Sequence, residues 1–330
     1  MLDKVYGEVI LRRREIRSRI VEGSIPDVEL DEFWNASEDV AGGEHVGVDA
    51  GRNYAILRGN ILAVVNAGAM GKDGLLAHRE FVDFIVPPGY PDVRITNYDV
   101  ILKTKVILDL LGRGIEAPIL VDGSFESDVS KPRWGRLHVR PDELASYDLL
   151  SVPIFSQSSI CDLCSDDGRV CYTELEFAEK LFLLKRVSES GSCIYISKST
   201  DASHLARKVL KTGTQMTDLD LLHVLDPPPG YTDPLGPYVV SHHGLGEAVG
   251  EIEVYYVRLS AGGPILRIEM SPGSWDMSEL FPILRGRQMD GYPYWLARID
   301  KEVRVTRADL KNVLTLLGLD YLPSGREVLL

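Results

Sequence analysis

Cysteine is scarce in this chain: Cys161, Cys164, Cys171 and Cys193 are the only four in 330 residues. That excludes a small disulfide scaffold, in which cross-links replace a hydrophobic core. Long apolar runs are also missing. The longest are short segments such as 61–65 (ILAVV), far below the roughly 20 residues a membrane-spanning helix needs. At the N-terminus Lys4 and the run Arg12, Arg13, Arg14 are interrupted by Asp3, Glu8 and Glu15, with no continuous apolar core behind them. No secretory leader is expected, and a cytoplasmic chain is the expectation. Basic side chains are the minority, 36 against 49 acidic, for a formal net charge of −13. This excludes a protein that coats nucleic acid over its whole surface, because neutralising phosphates needs concentrated Lys and Arg. It leaves a nuclease open, since carboxylate-rich sites attract metal cations and a basic groove or partner supplies phosphate attraction locally. Internal repeats and low-complexity blocks are absent too, which removes solenoids.

What is present is a globular composition. Hydrophobic residues make up 45% of the chain, enough for a substantial core in two average domains or one large α/β domain with insertions. Residues 2–22 carry Val5, Val9, Ile10, Ile16 and Ile20 at helical spacing, stopped by Gly23, Ser24 and Pro26. This amphipathic helix either packs on its own domain or offers a face to a partner or second copy. An acidic connector, 23–44, separates it from the main body, 45–330, within which 131–170 reads as an insertion rich in Ser, Pro and charge.

From His45 the pattern becomes that of strands. HVGVDAG, YAILRG and ILAVVNAGAM are three short apolar runs separated by turn-forming residues, and they predict an antiparallel meander. A helix follows in TNYDVILKTKVILDLLGRG, capped at Thr96 or Asn97, and then a buried strand, PILVDGS. ELEFAEKLFLLKRVSE and CIYISKS repeat the step from helix to strand. EIEVYYVRLS and PILRIEM pair across Ala261, Gly262 and Gly263, and Thr306 with Asp309 opens a last helix as a capping box. The resulting fold class is α/β, a ribonuclease-H-like mixed sheet flanked by helices, with insertions.

Three apolar runs end in a polar residue followed by small ones: VGVD at Asp49, ILVD at Asp122 and YISK at Lys198. Functional side chains collect where strands of such a sheet end, because there they leave the core and face a crevice. Each aspartate alone is also a turn former or helix cap. Two carboxylates held close together repel unless a cation lies between them, and hard divalent ions take oxygen ligands from such pairs. Phosphodiester hydrolysis suits that arrangement.

GVDAGRN, LVDGS, ISKST and GYPYWLARID, in that order and over roughly residues 40 to 305, resemble the archaeal NurA nucleases. The resemblance implies a ribonuclease-H-like fold, a homodimer, dependence on Mn²⁺ or Mg²⁺, exonuclease and endonuclease action on DNA in end resection, and work alongside the hexameric HerA helicase-translocase. Asp49 and Asp122 match the family's metal-binding aspartates. Lys198 falls in its SKS/T element, where it would orient the scissile phosphate, and Tyr292 and Asp300 fall in its C-terminal GYPY element. Asp300 is then a third metal ligand, or a surface residue beside Lys301. Tyr292 and Tyr294 flank Pro293 and could stack on an unpaired base.

One position departs from the family. NurA nucleases add a carboxylate from the helix before the PILVDGS strand, and its place falls near Lys105, which cannot ligate a metal while protonated. Asp99 and Asp109 lie on the same helix, Asp109 as an i,i+4 partner of Lys105, and Glu80 is another substitute. The alternative function is therefore a catalytically impaired DNA-binding or regulatory subunit of a helicase–nuclease complex. A third is a ribonuclease-H-like enzyme acting on RNA or branched DNA. Arg52 is a phosphate contact or a turn residue. Cys161, Cys164 and Cys171 resemble half of a zinc site, with a disulfide or free thiols as the alternatives; Cys193 reads as a small hydrophobe. HHGLGEAVG is followed by a strand, so it is no dinucleotide loop. His242 and His243 are expected at the surface.

Overall fold

The computed structural model describes Arg12 and residues 28–87, 89–131, 138–163, 172–211 and 216–319. The N-terminal helix expected over 2–22 lies outside them apart from Arg12, as do Cys164 and Cys171. Twelve strands run in chain order among the described residues: β1 (Trp34–Ala36), β2 (Val46–Leu57), β3 (Asn60–Gly71), β4 (Gly74–Phe84), β5 (Ile119–Asp122), β6 (Cys193–Ser197), β7 (Gly230–Thr232), β8 (Leu235–Ser241), β9 (Ala248–Arg258), β10 (Ile265–Met270), β11 (Gln288–Met289) and β12 (Tyr292–Pro293). The helices are α1 (Pro91–Gly112), α2 (Phe125–Ser130), α3 (Tyr172–Ser190), α4 (His204–Leu210), α5 (Asp218–Leu225), α6 (Met277–Gly286), α7 (Tyr294–Val303) and α8 (Arg307–Leu316).

One sheet organises the molecule, in the order β1-β7-β9-β10-β6-β5-β2-β3-β4 with β8 alongside β9. β2, β3 and β4 form an antiparallel meander, while β5 lies parallel to β2 and β6 parallel to β5. That is the ribonuclease-H-like arrangement. The meander differs from the sequence expectation in its boundaries. HVGVDAG and YAIL are one continuous strand, β2, because Gly51 and Arg52 stay extended and pair with Asn66 and Val65. The third strand is β4, whose sequence GLLAHREFVDF alternates buried and exposed positions. Within the stretch read as an acidic connector, β1 pairs with β7, and Phe33 and Trp34 are buried in the core.

Two apolar layers cover the sheet. On one face α1 and α3 pack with Val48, Val65 and Val121; on the other Leu120, Ile194, Ile196 and Ile268 meet α6 and α7 through Leu280, Phe281, Leu296 and Ile299. The helix α1 begins at Pro91, a residue suited to the first turn because its missing N–H would be unpaired there anyway. It is buried all round, between the meander and α3. Its polar residues must therefore find partners, since an unpaired buried charge is costly. Arg94 pairs with Glu176 at 2.6 Å, and Lys105 pairs with Glu179 at 2.6 Å, so two buried ion pairs join α1 to α3. Residues 138–163 contribute Leu144, Leu149, Ile154 and Phe155 to the core. His242, expected at the surface, is buried with its ring against Phe177, while its Nδ1 accepts a hydrogen bond from the Gly244 N–H. Cys193 is a buried thiol, pushed up to about 12 by burial.

Candidate active site

The site forms where β2 and β5 run side by side. Their parallel pairing runs from Val46 with Ile119 to Val48 with Val121, on strands about 4.8 Å apart; Asp49 and Asp122 are the next residue on each strand, and the Asp122 charge acts on the Asp49 carboxyl. Side chains alternate along a strand, so Gly47, Asp49 and Gly51 share one face. That face is covered by α7. A Cβ on Gly47 would lie 2.5 Å from the Trp295 carbonyl carbon, and one on Gly51 would lie 2.1 Å from the Val303 oxygen. The two glycines thus let α7 close directly over Asp49, whose residue is only 8% exposed.

Burial and the neighbouring Asp122 charge push the Asp49 carboxyl up to about 7. The Lys103 charge and the Ala50 N–H, which donates to Asp49 Oδ1 at 2.7 Å, act the other way. Asp122 ends β5 with its side chain a quarter exposed. Tyr292 donates its hydroxyl to Asp122 Oδ1 at 2.9 Å. Lys198, at the end of β6, places Nζ 4.0 Å from Asp122 Oδ2 and 3.9 Å from the centre of the Tyr292 ring, a cation–π contact. Its side chain is 52% exposed, so the ammonium faces outward. Four residues expected from the sequence, Asp49, Asp122, Lys198 and Tyr292, are therefore gathered from β2, β5, β6 and β12.

Asp300, on α7, pairs with Arg304 one turn later at 2.6 Å and is 38% exposed, and its charge also acts on the Tyr292 hydroxyl. Among the described residues no three His, Cys, Asp or Glu side chains come close enough to hold a metal ion together. Tyr294 stacks edge-on against Trp295 and not on the carboxylates.

The α1 side of the site departs from the sequence reading. Lys105 points away, its ammonium donating to the Val152 and Pro153 carbonyls as well as to Glu179. Asp109 is no partner of Lys105: Arg79 holds it with two hydrogen bonds of 2.8 and 2.9 Å. Glu80 pairs with His78 on β4. The α1 residues that face the carboxylates are Asp99 and Lys103, one turn apart. Asp99 takes Arg52 at 2.8 Å; burial, its largest influence, and Asp128 raise its carboxyl, while Arg52 and Lys103 lower it. Sequence reasoning missed Lys103 and Asp128. The i,i+4 spacing of Asp99 and Lys103 was the available signal, but a buried helix offers no exposed face by which to choose that pair over Lys105 and Asp109.

A ribonuclease-H-like sheet bearing two neighbouring aspartates on adjacent parallel strands defines the class of protein. A family model described as the NurA domain matches residues 44–305. The chain belongs to the NurA family. Over 97% of its length it is 22% identical to a protein of Sulfurisphaera tokodaii named DNA double-strand break repair nuclease NurA, covering 96% of that relative. The solved NurA nuclease from Sulfolobus solfataricus matches with a TM-score of 0.74 at 20% identity, covering 96% of this chain and 97% of that one. A NurA structure with manganese matches with a TM-score of 0.65 at 16% identity, covering 94% and 98%.

Proposed function

We propose that this chain is a divalent-metal-dependent DNA nuclease acting at DNA ends; its Sulfurisphaera relative is named a DNA double-strand break repair nuclease. The observation that carries the reading is the Asp49–Asp122 pair: two acids on adjacent strands, one of them pushed up to about 7 by its burial first and by the charge of the other second. Such a pair fits a hard cation. Its donors are all oxygen, and the Asp49 carboxylate has no ion-pair partner among the described residues to satisfy its charge. Asp49 and Asp122 would hold Mn²⁺ or Mg²⁺, and the ion, when bound, supplies Lewis-acid polarisation of the phosphodiester.

The chain's own residues do the remaining work. Tyr292 fixes the rotamer of Asp122 through its hydroxyl. Lys198, held over the Tyr292 ring with its ammonium toward solvent, receives the scissile phosphate as a point charge. Arg52, 41% exposed and anchored on Asp99, adds a second cation at the rim. These local cations provide phosphate attraction on a chain whose overall charge is negative.

Family membership extends the proposal to a homodimer partnered with a HerA-type hexameric translocase in the cytoplasm. No described helix is long and apolar enough to cross a membrane. The unit organisation is proposed as a nuclease domain over 45–330 preceded by 1–22 and 23–44.

The test is cleavage of end-labelled single- and double-stranded DNA, with RNA in parallel, in Mn²⁺. Wild type should degrade DNA, and Asp49→Asn should lose at least about 100-fold in rate, the scale on which an electrostatic catalytic group acts. Activity that survives the substitution would discredit the site. Lys103, an ammonium lodged among the acids, favours the second reading of a DNA-binding subunit; binding without cleavage by wild type would select it.

A further inference from the structure

Building on the metal-dependent reading above, we propose that the Lys103 ammonium stands in for a second cation, so that the Asp49–Asp122 site takes one divalent ion per chain. Lys103 belongs to α1, on the opposite face of the sheet from α7, and reaches the carboxylates past the end of β5. Its Nζ donates to the Asp122 backbone oxygen at 2.9 Å and lies 3.6 Å from Asp128 Oδ2. Gly123 makes this passage possible: a Cβ there would sit 3.2 Å from the ammonium, and the residue's φ of +123° is one that side chains rarely adopt.

The lysine is 5% exposed. Its ammonium is held between the Asp122 backbone oxygen and the Asp128 carboxylate, a positive charge placed inside an acidic cluster, the role a metal plays elsewhere.

Charge matching within the cluster then limits what else can bind. Asp99 is taken by Arg52 at 2.8 Å, Asp128 by Lys103, and Asp122 by Lys198 at 4.0 Å and by the Tyr292 hydroxyl. Of the four acids, only Asp49 lacks a cationic partner within ion-pair distance among the described residues. With Asp49 ionised, as a metal ligand must be, four carboxylates against three cations leave one net negative charge. One divalent ion completes that set and leaves it a positive charge for the substrate phosphate. A second would have to sit against a buried ammonium, and the next acid near Tyr292, Asp300, is already paired with Arg304 at 2.6 Å.

Calorimetric titration of the full-length protein with MnCl₂, together with Mn²⁺ electron paramagnetic resonance, tests this without reference to activity. Wild type should saturate at one ion per chain with a mononuclear spectrum, and Asp49→Asn should abolish that binding. Lys103→Glu should raise the stoichiometry to two and give a spin-coupled pair. If Lys103→Glu does not fold, Lys103→Met decides, because it keeps the stem and removes the charge. It should bind one ion about tenfold more tightly than wild type, and unchanged affinity would overturn the proposal. Two ions in wild type would also overturn it while leaving the nuclease reading intact. Absence of any Asp49-dependent binding would sink both.

Discussion

Tyr292 and Asp122 are 170 residues apart in the chain and 2.9 Å apart in space, joined by a hydrogen bond from the tyrosine hydroxyl to Oδ1. The same ring carries Lys198 on its face at 3.9 Å. One side chain thus positions an acid through its hydroxyl and a base through its π surface. Tyr292→Phe separates the two roles. It should lower kcat about tenfold, in the range expected when a partner that orients a ligand is removed, and weaken Mn²⁺ affinity, while KM for DNA stays near wild type. Tyr292→Ala, which also frees Lys198, should raise KM as well. Steady-state kinetics and metal titration on both variants check this, and equal behaviour of the two would remove the cation–π contact from the site.

Lys105 and Glu179 form a fully buried pair linking α1 to α3. Burial lowers the lysine and raises the acid, each against the pull of its partner. Lys105→Met should cost about 3–5 kcal/mol, because it strands a buried carboxylate. Adding Glu179→Leu should recover part of that loss. Recovery is incomplete because the Phe155 N–H and the Val152 and Pro153 carbonyls also lose partners. Urea unfolding of the cycle measures the coupling. Nuclease activity per folded molecule should stay close to wild type, since Lys105 faces away from the aspartates.

His45, at the start of β2, is 1% exposed, and neither ring nitrogen has a hydrogen-bond partner among the described residues. Burial, with Arg287 adding to it, lowers its pKa from 6.5 to about 4. Between those values the unfolded chain binds a proton that the folded chain excludes. Stability therefore falls as pH drops from about 6.5 to about 4 and levels off below, by about 3 kcal/mol in all for this one group. Asp49, raised from 3.8 to about 7, acts in the opposite sense over the whole of this range, so the comparison must be differential. Stability of wild type minus that of His45→Leu, measured by chemical denaturation from pH 7.5 to about 4, should show this slope, and a flat difference would refute it.

Gly47 lets α7 approach β2 to backbone contact. In Gly47→Ala the new methyl would meet the Trp295 carbonyl carbon at 2.5 Å, an atom that cannot swing away as a side-chain tip would. The helix must shift, at a cost of about 1–3 kcal/mol. Because Tyr292 immediately precedes α7, activity should fall with stability. Thermal unfolding and DNA cleavage read the two effects, and a variant with full stability would show that the helix has more freedom than this packing implies.

Much of the framework was legible before any coordinates. Strand-like runs in the meander, the apolar ILVD and CIYIS strands, and the Thr306–Asp309 capping box each carry their signal within a few residues. Asp49, Asp122 and Lys198 were visible because each directly follows an apolar run, where a polar residue has to face a crevice. The Gly51–Arg52 step misled because glycine marks both a turn and a close approach of another element. Here it is the approach of α7, which is more than 240 positions distant in the chain. Lys103 and Lys105 could not be separated in sequence. On a helix buried all round, apolar periodicity no longer identifies an outward face, and two positions change which side of the helix a lysine leaves from.

Sequence by itself determined the class of the molecule: a ribonuclease-H-like chain of the NurA family with aspartates at 49 and 122. These are local consequences of strand patterning and short motifs. Tertiary structure alone decided which charges meet. It set Lys103 among the acids, sent Lys105 to Glu179, and gave Asp300 to Arg304. Such pairings depend on sheet register and on the rotation of buried helices. Ionic partners are chosen by distances of a few ångströms between segments that the linear order leaves unrelated.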